Sequence, residues 1–111
     1  MTSYSKGASF ERKIKKILEA KGMFVVRSAG SKGPVDLIAF NKKYDGYLPH
    51  LHEKLVYPWV IQVKTLGKVR GEELGILIRL AMEYGALPVL VRQLSHRIQF
   101  INLKDMGEMA I

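Results

Sequence analysis

The apolar residues of this chain change their spacing several times along its length, and the order of those changes admits few folds. Phe10, Ile14, Ile17 and Leu18 recur at helical spacing. A first helix is therefore expected from an N-cap at Ser5 to about Lys21, with Gly22 as its left-handed terminator. Runs of β-formers follow at residues 23–28 and 35–40, paired across a turn at Gly30-Ser31-Lys32-Gly33-Pro34, and again at 59–64. A second helix is expected over 72–84, opened by Glu72 and Glu73, where the helix dipole favours acids, and closed by Gly85. Strands at 87–92 and 97–101, joined around Ser95 and His96, complete the order αβββαββ. Residues 41–57 break the pattern with Asn41-Lys42-Lys43, Asp45-Gly46 and Pro49, and read as a loop inserted into the core. With 111 residues in all, the expectation is one α/β domain spanning 1–111.

Several function classes fall away. The chain has no cysteine, which excludes disulfide frameworks, zinc fingers and thiol nucleophiles. No run approaches the roughly 18 apolar residues of a membrane span, and the polar start Met1-Thr2-Ser3-Tyr4-Ser5-Lys6 does not read as a signal peptide. A reducing cytoplasmic setting is expected. Eighteen Lys and Arg against ten Asp and Glu leave a formal charge of +8, which favours a polyanionic partner, most simply nucleic acid. A basic protein with no such partner is the plain alternative.

Four residues could carry chemistry together. Glu11 falls about 20° beyond Leu18 on the helical wheel, at the edge of the apolar stripe. Asp36 follows Gly33-Pro34 at the start of the second strand, and Gln62 and Lys64, two apart on the third, share one sheet face. Carboxylate oxygens suit Mg²⁺, and a lysine beside such an ion can orient an attacking water or neutralise phosphate charge. Each residue also has an ordinary reading. Asp36 can cap its turn, Gln62 can be a polar residue on a half-exposed strand, and Glu11 can pair with Lys15 at i,i+4.

The pattern Pro34-Val35-Asp36 with Gln62-Val63-Lys64 resembles the PD-(D/E)xK nuclease superfamily. Lys6-Gly7-Ala8, Phe10-Glu11-Arg12, the run from Val26 to Lys32 and Val35-Asp36-Leu37-Ile38-Ala39 resemble the archaeal-type Holliday junction resolvases, including those carried by viruses. The similarity runs from Lys6 to Ile101, apart from 41–57. It implies a restriction-endonuclease-like core, a central mixed five-stranded sheet flanked by two helices. It also implies a homodimeric endonuclease that cuts four-way DNA junctions by paired nicks, acting in an archaeal, bacterial or virus-infected cell. Glu11, Asp36 and Gln62 would hold Mg²⁺, for which Mn²⁺ can substitute, and Lys64 would be catalytic. Arg12, Arg27, Ser31 and Lys32 would lie near the scissile phosphate or the DNA backbone, and Lys6 would also contact DNA. The basic connection carrying Lys68 and Arg70 is either a further phosphate contact or a soluble loop. Related repair or restriction-type cutting of duplex DNA is the neighbouring alternative.

The chain departs from the family at Gln62, where an acid is usual. An amide oxygen can ligate Mg²⁺ but carries no charge, so either Glu11 carries more of the binding or another acid (Glu53, Glu72 or Glu73) takes the place. Loss of the metal site, leaving a DNA-binding relative without catalysis, is the contrasting outcome. His50 and His52 stand two apart without a third ligand in the pattern, and Tyr44, Tyr47 and Tyr57 can stack on bases or on each other. On the second helix Leu74, Leu77, Ile78 and Ala81 form one apolar stripe; Ile76, Leu80 and Tyr84 form a further set, assigned to the dimer interface.

Overall fold

The computed structural model describes residues 3–28, 33–41, 58–65 and 71–109, with side chains from residue 7 onward. Its elements are α1 (Ser3–Ala20), β1 (Phe24–Arg27), β2 (Leu37–Phe40), β3 (Trp59–Lys64), α2 (Gly71–Tyr84), β4 (Leu87–Gln93), β5 (Ile98–Asn102) and β6 (Gly107–Glu108). The strands lie side by side in chain order in one sheet. Pairing is antiparallel throughout except between β3 and β4, which run parallel because α2 carries the chain back between them. The expected αβββαββ order is present, and the mixed sheet flanked by two helices is the expected α/β architecture.

Period-2 alternation divides the sheet between the helices. Ile61, Val63, Val89, Val91 and Phe100 face α1 and pack with Phe10, Ile14, Leu18, Leu37 and Ala39. Val60 and Leu90 point the other way and meet Leu77, Ala81 and Leu103. The centre of β4 is apolar on both faces for that reason, unlike a strand with one wet side. Ile14 and Leu18 on α1, and Leu77 and Ala81 on α2, are fully buried, so the predicted stripes are the packed ones.

Both helices end as their glycines require. Gly22 has φ +93° and Gly85 φ +67°. Met23 N–H reaches back to Leu18 C=O (3.1 Å), and Ala86 N–H to Ala81 C=O (2.8 Å), the six-to-one bond of a Schellman cap. The helix starts earlier than expected: α1 begins at Ser3, so Ser5 lies inside its first turn and not at its cap. Nothing in Tyr4 or Ser5 blocks helical dihedrals, and serine alone does not fix a boundary.

Among the described residues the sheet has six strands, one more than expected. The sixth is two residues long, too short to leave a periodic signal. Met106, at φ 63°, turns the chain so that Gly107 and Glu108 pair with Asn102 and Ile101. The turn is tied by Met106 N–H to Asn102 C=O (2.7 Å) and Gly107 N–H to Asp105 Oδ1 (2.9 Å).

The outer set on α2 is only partly exposed. Ile76 and Tyr84 stand open, but Leu80 packs against the α2-side core, which corrects its assignment as a purely outer residue. Leu80 lies only about 60° from Leu77 on the wheel, within the width of the buried stripe. The described C-terminal residues run along the sheet edge, with Met109 against the α1-side core, and do not cover this helix. Among the described residues no helix is long and apolar enough to cross a membrane.

Candidate active site

The β2–β3 ladder keeps its register as far as Leu37 opposite Ile61, and there the strands part. Asp36 N–H still donates to Ile61 C=O (2.7 Å), while Ser28 N–H donates to Asp36 C=O (2.9 Å). The Asp36 side chain then replaces the missing backbone acceptor: its Oδ2 takes the N–H of Val63 at 2.8 Å. A carboxylate is thereby fixed beside the strand that carries Gln62 and Lys64. The Gly33-Pro34 bend lets this happen, since it turns the chain out of the ladder just before Asp36.

Glu11 approaches from α1. Its Oε1 accepts from Arg27 Nε at 2.9 Å, and both side chains are mostly buried. The expected i,i+4 alternative for Glu11 is not formed, because Lys15 pairs with Glu19 instead (2.7 Å). Arg27 was assigned to DNA; in the free protein it is committed to Glu11, where it neutralises one acid of the site. On the other flank, Glu73 from the first turn of α2 lies 3.2 Å from Lys64 Nζ. The same Glu73 oxygen, Oε1, accepts from Gln62 Nε2 at 3.4 Å, a long hydrogen bond. The Lys64–Glu73 pair is about one-third exposed, so it contributes about 1 kcal/mol at most.

Burial pushes the Asp36 carboxyl up to about 6 from the usual 3.8. The Val63 N–H and Lys64 oppose that rise, while the negative charges of Glu11 and Glu73 add to it. Gln62 is the one buried polar residue of the described core, 4% exposed. Its Oε1 has no hydrogen-bond partner among the described residues. A buried acceptor left unpaired costs about 1–3 kcal/mol unless something electropositive fills the gap. An ionised Asp36 held in a low-dielectric notch asks for the same thing. These donors fit a hard divalent cation. The acids are not gathered in advance, since among the described residues no three stand at metal-ligand spacing; Glu11 and Glu73 are held on Arg27 and Lys64.

Where β2 leaves β3, the Asp36 carboxyl thus lies within reach of the charges of Glu11, Lys64 and Glu73, and Gln62 joins the group through Glu73. Arg12 is exposed and lines a shallow open surface of α1 with Ser9, Lys13, Lys16, Ile17 and Ala20. The side chains of Ser31, Lys32, Glu53, Lys68 and Arg70, and that of Lys6, lie outside the described residues, as do Tyr44, Tyr47, Tyr57, His50 and His52. Glu73 was named only as a substitute acid. Its place follows from the crossover, because a helix that starts soon after β3 must begin near the strand's last residues.

A model of the archaeal Holliday junction resolvase family matches residues 2–110. The chain is 38% identical over 99 residues to the crossover junction endodeoxyribonuclease Hjc of Methanocaldococcus jannaschii, an alignment covering 89% of this chain and 67% of that protein. The crystal structure of the Holliday junction resolvase Hjc from Archaeoglobus fulgidus superposes with a TM-score of 0.65 at 22% identity, covering 86% of this chain and 75% of that one, a likeness of fold.

Proposed function

Since the chain belongs to the archaeal Holliday junction resolvase family, we propose that its strand-end site cuts four-way DNA junctions with the help of a divalent ion held at Asp36, Gln62 and Glu11. The protein is a junction-resolving endonuclease, and the observation that carries the assignment of its site is the Asp36–Val63 hydrogen bond, which fixes an acid beside Lys64. Mg²⁺ is the ion we assign, with Mn²⁺ able to replace it, because the donors are all oxygens. Such an ion supplies Lewis acidity toward the phosphate and lowers the pKa of the attacking water.

The chain's own groups do the rest. Asp36 holds a fixed negative charge where the phosphodiester must approach. Lys64, released from Glu73, brings a positive charge to the phosphoryl oxygens and orients the water. Arg12, with Lys13 and Lys16 on the same open surface of α1, takes backbone phosphates away from the reacting bond. We further propose a homodimer, since paired nicks on opposite strands require two sites, and a cytoplasmic location beside the DNA it acts on.

A second reading is favoured by one residue: with Gln62 in place of an acid, the protein binds junctions without cutting them. Labelled four-way junction and a matched linear duplex, each with and without Mg²⁺, separate the two. Junction cut in Mg²⁺ alone, with duplex spared, is the expected result; binding without any cutting would select the second reading. Equal cutting of duplex would point to a repair or restriction-type nuclease.

A further inference from the structure

Gln62 sits where the resembled family carries an acid, yet its side chain is almost fully buried, and its amide has one half in use and one half idle. The used half, Nε2, points at the carboxylate of Glu73 on a different element. The idle half, Oε1, is an acceptor with no donor among the described residues. The same Glu73 oxygen also meets Lys64, so two side chains of β3 meet at one carboxylate of α2. An ordinary surface glutamate in a helix's first turn needs none of these contacts to satisfy the dipole. A buried glutamine that spends its donor on an acid and leaves its acceptor open is what remains when the negative charge has moved from the strand to the helix.

We propose that Glu73 is the third carboxylate of the metal site, taking the place of the acid absent at position 62, and that Gln62 is its positioning residue. Glu73 reaches the site from α2, its charge held on Lys64 until a divalent cation replaces the lysine. Exchange of that partner is cheap, because both groups of the pair are partly exposed. It also frees the Lys64 ammonium at the moment when the phosphate needs it. Gln62 keeps the helix acid pointed inward and offers Oε1 as a neutral ligand. Neither Glu53 nor Glu72 is required in this arrangement.

The assignment rests on the metal-dependent reading above but is tested without DNA. Mn²⁺ binding to the full chain is followed by the loss of the free-ion EPR signal. Glu73→Gln should weaken Mn²⁺ binding roughly tenfold or more. The exchange Gln62→Glu with Glu73→Gln, which returns the charge to the strand, should recover most of it. Glu83→Gln, at the far end of the same helix, serves as the control and should bind as the native chain does. Glu73→Asp, which keeps the charge but withdraws it by one methylene, should fall between native and Glu73→Gln, and it reports even if a glutamate at 62 unfolds the chain. Unchanged Mn²⁺ binding in Glu73→Gln would overturn the proposal, and so would a loss that the exchange variant, folded by circular dichroism, does not recover. Junction cutting by the native chain is measured separately, so failure here leaves the resolvase reading standing.

Discussion

Asp36 and Val63 are joined by a hydrogen bond of 2.8 Å from the Val63 backbone N–H to the Asp36 carboxylate. The bond fixes an ionisable group in a notch where burial outweighs the help it receives from that N–H and from Lys64. Stability is spent there to keep a charge in place before any cation or substrate arrives.

That strain has a pH signature. The folded chain holds a proton on Asp36 up to about pH 6, while the unfolded chain releases it near 3.8. Asp36 therefore lowers stability as pH rises through that window, and its full cost is present above about 6. Two units correspond to about 3 kcal/mol, and partial solvent access reduces this to about 1–2 kcal/mol. Asp36→Asn keeps an acceptor for Val63 without the charge. In EDTA it should be more stable than the native chain by that amount at pH 7.5, and the gap should close near pH 4. Urea unfolding of both proteins across the range measures it; a less stable variant at pH 7.5 would contradict the burial argument.

Much of this was legible in the sequence, and the failures have physical causes. The stripes at Phe10, Ile14 and Leu18 and at Leu77 and Ala81 are buried as their spacing demanded. Glu11's place at the stripe's edge was enough to set its charge within reach of Asp36. Its partner Arg27 was not readable, because a contact across sixteen residues depends on how α1 lies over β1. Leu80 was misread because a helical wheel gives direction but not the width of the core it meets. The β6 strand left no pattern in two residues. Gln62's donation to Glu73 depends on where the crossover sets down α2, which spacing along the chain does not encode.

On the proposed docking of backbone phosphates at the open α1 surface that carries Arg12, Lys13 and Lys16, junction affinity should depend steeply on salt. Arg12→Ala should weaken binding to all junction sequences alike and reduce the slope of log K against log salt by about one. Arg27→Ala should change that slope less, since Arg27 is already paired with Glu11. Fluorescence anisotropy at several salt concentrations decides between them. Equal slope changes would show that Arg27 leaves Glu11 for the DNA.

Ile76 is 46% and Tyr84 76% exposed on the outer side of α2. If a second copy covers them, Ile76→Glu with Tyr84→Glu should give a folded monomer that nicks one strand at most. Leu80 is left untouched because it belongs to the core. Sedimentation of native and double-substituted chains at micromolar concentration measures this; a native monomer would remove the interface and the paired-nick scheme with it.

The central claim is that chemistry at Asp36 and Lys64 is separate from the contacts that hold the junction. Single-turnover cutting of a labelled four-way junction, with protein in excess over its dissociation constant and Mg²⁺ present, tests it most directly. Native protein should cut, whereas Asp36→Asn and Lys64→Ala should bind the junction within about twofold of native affinity and leave it intact. Cutting by either variant at a rate near native would contradict the claim.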